Sequence, residues 1–229
     1  METINTNVTA ADEFVWVDSH NRLVELQQLP WSNHDVLCVI KHGRCRDSWS
    51  RICMETIPRL SYLLQRSLVR LSREIQRLSR PVGMTSRQEV CGALKILLSP
   101  ALADSCLKGC SRAAAMFSMS DQPTEGKSSR ACLQLSVGRV QRWMVDVRLG
   151  RFVHEFAPVY LTAALETLLE EFVLQSLPPD LEVPLTAAAL ESAIASNGDL
   201  WGLLQPYAHL NAGRTATGAL AIPRFPSSS

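Results

Sequence analysis

The feature that most constrains this chain is one long amphipathic stretch. From Ile52 to Arg80 the apolar residues Ile57, Leu60, Leu64, Leu68, Leu71, Ile75 and Leu78 recur every three or four positions, which marks one face of a continuous helix. A helix with such a stripe cannot stand alone in water, so its apolar face must be covered by an element of similar length. The second half of the chain holds a candidate cover. Phe156–Gln175 predicts another long helix, with Val159, Leu161, Leu165, Leu168, Leu169, Phe172 and Val173, of which Leu161, Leu165, Leu168 and Phe172 keep the same spacing. Two such helices, crossing, would cover each other.

Five arginines accompany the first stripe. Arg66, Arg70, Arg73, Arg77 and Arg80 keep the leucine spacing two positions later, and two positions is roughly 200° around a helix. They are therefore expected to point away from the leucines. The plainer reading is a solvated face; the sharper one is a basic face for an acidic partner or a phosphate backbone.

Each long helix sits among short ones. Ser32 is placed to cap a helix carrying Asp35, Val36, Leu37, Val39 and Ile40, ended by Gly43 and followed by a basic link, Arg44 to Asp47. Pro81 and Gly83 break the long helix, and Thr85 or Ser86 caps a third one with Val90, Ala93, Leu94, Leu97 and Leu98. Pro100 interrupts that helix, and a fourth runs from Ala101 to Phe117. Asp121–Ser129 is polar and reads as a linker between domains. The plan then repeats: a short helix over Val137–Val147, the long one, a loop from Leu177 to Val183 and a third helix over Pro184–Ala195. Asn197 and Gly198 stop it, and Asp199–Leu204 is one more short turn of helix. The expected plan is a flexible segment over 1–30, a first unit over 31–120, a linker over 121–129, a second unit over 130–210 and an extended tail over 211–229.

Composition narrows the function. With 46% hydrophobic but only 6% aromatic residues, a core must be built from Leu, Val, Ala and Met. The net charge of +1 supplies no overall field to draw nucleic acid. Residues 1–120 hold 15 Lys and Arg against 11 Asp and Glu, a net of +4, and residues 121–229 hold 8 against 11, a net of −3, signs that suit two halves docking on each other. The polar N-terminus does not read as a signal peptide, and no run of residues is apolar enough to span a membrane. Seven scattered cysteines, without a C-x-x-C, read as reduced thiols in an intracellular protein, cytoplasmic or nuclear. Cys106 and Cys110 lie one turn apart with no neighbouring histidine to complete a zinc set. The five histidines form no ligand pair, no Gly-rich phosphate loop exists, and nothing pairs a nucleophile with a base. No catalytic residue, cofactor or metal is expected.

Two resemblances sharpen this plan. KSSRACLQLSVGRV (Lys127–Val140) looks like the start of the nucleosomal histone of the two-A type, and APVYL (Ala157–Leu161) resembles the opening of its long helix. AIASNGDLWGLL (Ala193–Leu204) is similar to its third helix and the turn after it, and GALAIP (Gly218–Pro223) to its docking tail. That resemblance covers about 95 residues in the right order and spacing. The first half is similar to the two-B histone over TSR (Thr85–Arg87), Glu89-Val90, Ala93–Leu98 and Ala101–Ser120, more weakly before Arg73. PWSNHDV (Pro30–Val36), FSMS (Phe117–Ser120), RWMVD (Arg142–Asp146) and LWGLLQPYAHL (Leu200–Leu210) look like the N-terminal region of large ankyrin-repeat and BTB/POZ-domain proteins, which carry a histone-like pair ahead of their repeats. Neither the repeats nor a BTB domain lies in these residues, so the chain reads as a fragment, short isoform or reduced relative.

The resemblance implies an all-α pair of histone folds forming an intramolecular heterodimer, with Leu64, Leu68, Leu71 and Ile75 crossing Leu161, Leu165, Leu168 and Phe172 in one core. It also implies where nucleosomal functions would sit. Arg139 and Arg142 match phosphate-contacting arginines, but Val145 and Asp146 stand where the histone is basic, Pro184 replaces a minor-groove arginine, and PVGM (Pro81–Met84) replaces a basic run. Glu166, Glu171 and Asp199 match three acidic-patch positions, while Leu174, Asn197 and Gly198 occupy the rest. The reading is a non-catalytic protein-interaction module, a scaffold or adaptor of the ankyrin-BTB type. Its partners would be proteins, including ubiquitin-ligase components reached through a BTB domain, with weak or no nucleic-acid binding and no membrane. The alternative is a chromatin- or DNA-binding histone-fold pair using Arg139, Arg142 and the basic face of Arg66, Arg70, Arg73 and Arg77.

Overall fold

The computed structural model describes residues 15–17, 23–25, 29–120 and 124–204; the expected docking tail and most of the N-terminal segment lie outside the described residues. Two short strands come first, β1 (Val15–Val17) antiparallel to β2 (Leu23–Glu25). Ser32 then opens α1 (Asn33–His42), its hydroxyl accepting the Asp35 N–H at 3.3 Å while the Asp35 carboxylate accepts the Ser32 N–H at 2.7 Å. A 3-10 helix over Arg46–Arg51 follows, where the sequence suggests only a link.

The long helix α2 (Thr56–Ser79) begins at Thr56 rather than Ile52. The physical reason is a competing partner: Ile52 is extended and bridged to Leu185 far along the chain. At the other end Gly83 takes φ +71° and returns its N–H to the Ser79 carbonyl at 2.8 Å, a left-handed turn open to glycine. After β3 (Met84–Thr85), Ser86 rather than Thr85 caps α3 (Arg87–Leu97), with Glu89 completing the box. Pro100 starts α4 (Pro100–Met119) at the position where its missing N–H costs nothing.

The second unit repeats the order. A single turn, α5 (Lys127–Arg130), begins inside the expected linker and ends just past it. Then come α6 (Val137–Asp146), β4 (Phe152–Val153), the long α7 (Phe156–Ser176), α8 (Ala187–Ser196) and α9 (Gly198–Leu204). α8 starts at Ala187, not Pro184, because Leu185 is the other half of the Ile52 bridge and Thr186 serves as cap.

The loops lock the two units reciprocally. The loop before α2 pairs in parallel with the loop after α7: Leu185 N–H donates to the Arg51 carbonyl at 2.7 Å and Cys53 N–H to the Leu185 carbonyl at 3.1 Å. The loop after α2 pairs in parallel with the loop before α7, Met84 opposite Phe152 and Thr85 opposite Val153. There Phe152 N–H donates to the Gly83 carbonyl at 3.2 Å and His154 N–H to the Thr85 carbonyl at 2.9 Å. The start of each long helix therefore lies beside the end of the other, so α2 and α7 run in opposite directions.

One continuous cluster of buried side chains joins both units. The sequence marks one apolar face on α7, yet Ala157, Val159, Leu161, Ala163, Ala164, Leu165, Leu168, Leu169, Phe172 and Val173 are all buried. A helix apolar nearly all round belongs inside. α7 fits that rule, since α1, α2, α3, α4, α6 and α8 all pack on it. α4 comes close to α7 at Gly109, where a Cβ would collide with the Thr167 hydroxyl.

Candidate interaction surface

The site with the most structure is the junction between the two halves. Leu64, Leu68, Leu71 and Ile75 of α2 and Leu161, Leu165, Leu168 and Phe172 of α7 are all completely buried in one cluster, and the two helices are in direct contact. Burying a leucine or phenylalanine contributes about 1.5–3 kcal/mol. These stripes therefore account for a large part of what holds the halves together.

Polar ties run across the same junction, most of them from first-half arginines. Arg44, just after α1, places its Nε against one oxygen of Glu170 at 2.5 Å and its N–H against the other at 2.8 Å, while Nη1 reaches Glu171 at 3.0 Å. Burial alone would lower the Arg44 pKa, but the two carboxylates hold it above its ordinary value. Arg51 Nη2 donates to the Pro178 carbonyl at 2.7 Å and the Asp180 carbonyl at 2.6 Å, tying down the loop after α7. Nothing local in the sequence announces these ties, because each joins residues more than a hundred positions apart. The one signal is the opposite net charge of the halves.

The expected basic face of α2 does not exist as an open surface. Arg70 is buried, and its Nη1 donates to the carbonyls of Gly202 and Leu203; Arg66 Nη1 donates to the Leu204 carbonyl at 2.8 Å. Both donate to carbonyls in the last turn of α9. Arg73 is half-buried, and Arg77 is exposed but paired with Glu74. Helical period places these residues opposite the leucines, as observed, but α9 covers part of that side.

The matched acidic positions are likewise dispersed. Glu166 is half-buried and accepts the Leu135 N–H at 2.5 Å. It lies in a groove of about 410 Å³ that also holds Arg44, Arg112 and Glu170. Burial pushes its carboxyl up to about 7, against the lowering effect of the Leu135 and Gln134 amides. Glu171 is engaged by Arg44, and only Asp199 of the three is exposed. They do not form one open patch. Of the candidate phosphate contacts, Arg142 is exposed, while Arg139 pairs with Asp35 at 2.9 Å; burial raises the Asp35 pKa, but the hydrogen bonds from Ser32 and the Arg139 guanidinium together hold it below its ordinary value.

Among the described residues no three potential ligands gather around a metal position. His34 Nδ1 stands 3.7 Å from Cys38 Sγ one turn on, a pair without a third member. Cys45 and Cys106 are buried thiols, pushed up to about 12 by burial, and make poor nucleophiles. No described helix is long and apolar enough to cross a membrane.

The Arg44 tie gives a direct test. Arg44→Ala leaves Glu170 with the Arg44 N–H but no guanidinium, in a site where only 10% of its side chain is exposed. Because Arg44 itself is 40% exposed, the expected loss of stability is moderate, about 1–2 kcal/mol by urea unfolding. A loss no larger than for Arg46→Ala, whose partner Asp47 is 90% exposed, would show that the tie contributes nothing.

One comparison with known proteins bears on this arrangement. The family model described as histone domain in ABTB family protein matches residues 30–163, from just ahead of α1 into the first half of α7.

Proposed function

Because the chain belongs to the family of histone domains in ABTB family proteins, we propose that it works as a non-catalytic protein-interaction module built from two histone folds paired on one chain, residues 31–120 and 130–210. The reciprocity of the loop bridges carries this reading. Each long helix is preceded by a loop that pairs with the loop following the other, the geometry of two interlocked units rather than two neighbours. The family matched is one of histone domains, a fold whose general work is protein heterodimerization, and here the dimerization is met within the chain. That leaves the outer surfaces for other partners.

The finer role is that of a scaffold or adaptor. By its resemblance to ankyrin-BTB proteins, the module would sit beside repeats and a BTB domain that engage ubiquitin-ligase components, in the cytoplasm or nucleus. Weak nucleic-acid binding accords with the use of Arg51, Arg66, Arg70 and Arg139 in internal contacts.

Separate expression of the halves tests the pairing. Residues 1–120 alone should expose the α2 stripe and aggregate, and co-expression with 128–229 should restore a soluble one-to-one complex by size exclusion. A soluble, folded monomer from either half would sink the paired reading.

A further inference from the structure

The end of the molecule where β3 meets β4 carries features the pairing does not use. A cleft of about 700 Å³ opens there between the end of α2 and the turn after α6. Arg80, Arg148 and Arg151 line it, all three exposed, and no carboxylate stands among its described lining residues. The nearest acids in sequence do not line it: Glu74 is held by Arg77, and Asp146 and Glu155 lie outside the lining. Around the arginines are large apolar side chains in water. Val145 lines the cleft at 55% exposure, and Val82 and Phe152, in the segments that frame it, are 62% and 67% exposed. Exposed apolar groups gathered beside one sign of charge mark an interaction surface.

The cleft is also preformed. Ser79 and Thr85 join hydroxyls at 2.9 Å in its buried wall, and Gly150 packs so closely on Thr85 that a Cβ would collide with it. A ligand entering such a site does not have to order it first.

We propose that this cleft docks an acidic peptide segment bearing a bulky apolar side chain. Its carboxylates face Arg80 and Arg151, and its apolar group lies on Val145 within the cleft and extends toward Val82 and Phe152 outside the lining. This deepens the interaction-module reading, on which it rests, by naming the class of partner. A phosphate backbone fits the surface less well. It would satisfy the guanidiniums but leave the three apolar side chains against a charged strand, and tight duplex binding needs phosphate contacts spread along the protein. At the opposite pair of loops, Arg51 is already occupied by the carbonyls of Pro178 and Asp180.

The test exposes the full chain to a bead-displayed library of random short peptides at physiological ionic strength, with a fluorescent DNA duplex measured in parallel. Recovered peptides should be rich in Asp or Glu beside Leu, Phe or Trp. The double variant Arg80→Glu, Arg151→Glu should weaken the best of them at least about tenfold, with helicity and unfolding midpoint unchanged, and Phe152→Ser should weaken them too. If the double reversal perturbs the fold, Arg80→Gln with Arg151→Gln replaces it, with a smaller loss in the same direction. The proposal is overturned by peptides lacking an acidic bias, by no enrichment at all, by binding that the variants do not change, or by a duplex that displaces the peptides. Any of these in a folded chain removes the cleft as a docking site but leaves the module reading standing. Failure of that reading would instead appear as independent folding of the two halves.

Discussion

A chain carrying Leu68→Asp should lose both long helices together. Leu68 is completely buried at the centre of the α2 stripe, within the cluster that also holds Leu161, Leu165, Leu168 and Phe172. A carboxylate there has no partner among those side chains and must either stay desolvated or open the core to water. The cost is on the order of 4 kcal/mol or more, a large share of the 5–15 kcal/mol, roughly, that holds a typical domain folded. If α2 and α7 share one core, the loss cannot be confined to the first half. Circular dichroism should report one cooperative transition, and hydrogen exchange should find residues 156–176 as unprotected as residues 56–79. Retained protection over 156–176 with only the first half unfolded would show two independent domains.

The second expected result concerns pH. Glu166 is pushed up to about 7 from 4.5, chiefly by burial, with Glu170 adding to the rise and the Leu135 and Gln134 amides and Arg112 opposing it. Between those two values the folded state holds a proton that the unfolded chain has released. Stability therefore falls as pH rises from about 4.5 to about 7, and is flat on either side as far as this group is concerned. The gap corresponds to about 3 kcal/mol. Glu166→Gln keeps a carbonyl oxygen for the Leu135 N–H and never ionises. It should change stability little at pH 4.5 and raise it by about 2–3 kcal/mol at pH 8, read as the difference between variant and parent in urea unfolding. Taking that difference cancels contributions common to the variant and the parent. An equal effect at both pH values would mean that Glu166 is ionised in the folded protein across the whole range.

The two results draw on different kinds of information. The positions in Leu68→Asp could be chosen from the sequence alone, since a three-and-four period over Leu64, Leu68, Leu71 and Ile75 identifies an apolar face without reference to the rest of the chain. Glu166 could not. Its resemblance to an acidic-patch position implies an exposed carboxylate, and only the packing of the segment before α6 against α7 makes it a half-buried acceptor of the Leu135 N–H.

What the sequence determined by itself is local. Ser32 with Asp35 and Ser86 with Glu89 are complete capping boxes within four residues, so the start of α1 could be read directly and that of α3 to within one residue, Thr85 or Ser86. Pro81 and Gly83 mark the end of α2 for the same reason: proline and glycine act on their own backbone. The strings shared with histones carried the order of the elements. What only the tertiary structure decided is which polar groups stay in water. Helical period says which residues share a face, but not how many faces will be covered, and α9 turned Arg66 and Arg70 from a candidate partner surface into caps for its own carbonyls. The late starts of α2 and α8 have the same origin. Ile52 and Leu185 are drawn out of their helices by each other, 133 positions apart, and a pairing at that distance leaves no trace in any local window. The period of the leucines is set by the geometry of a single helix, whereas the fate of each arginine and glutamate depends on what comes to lie beside it.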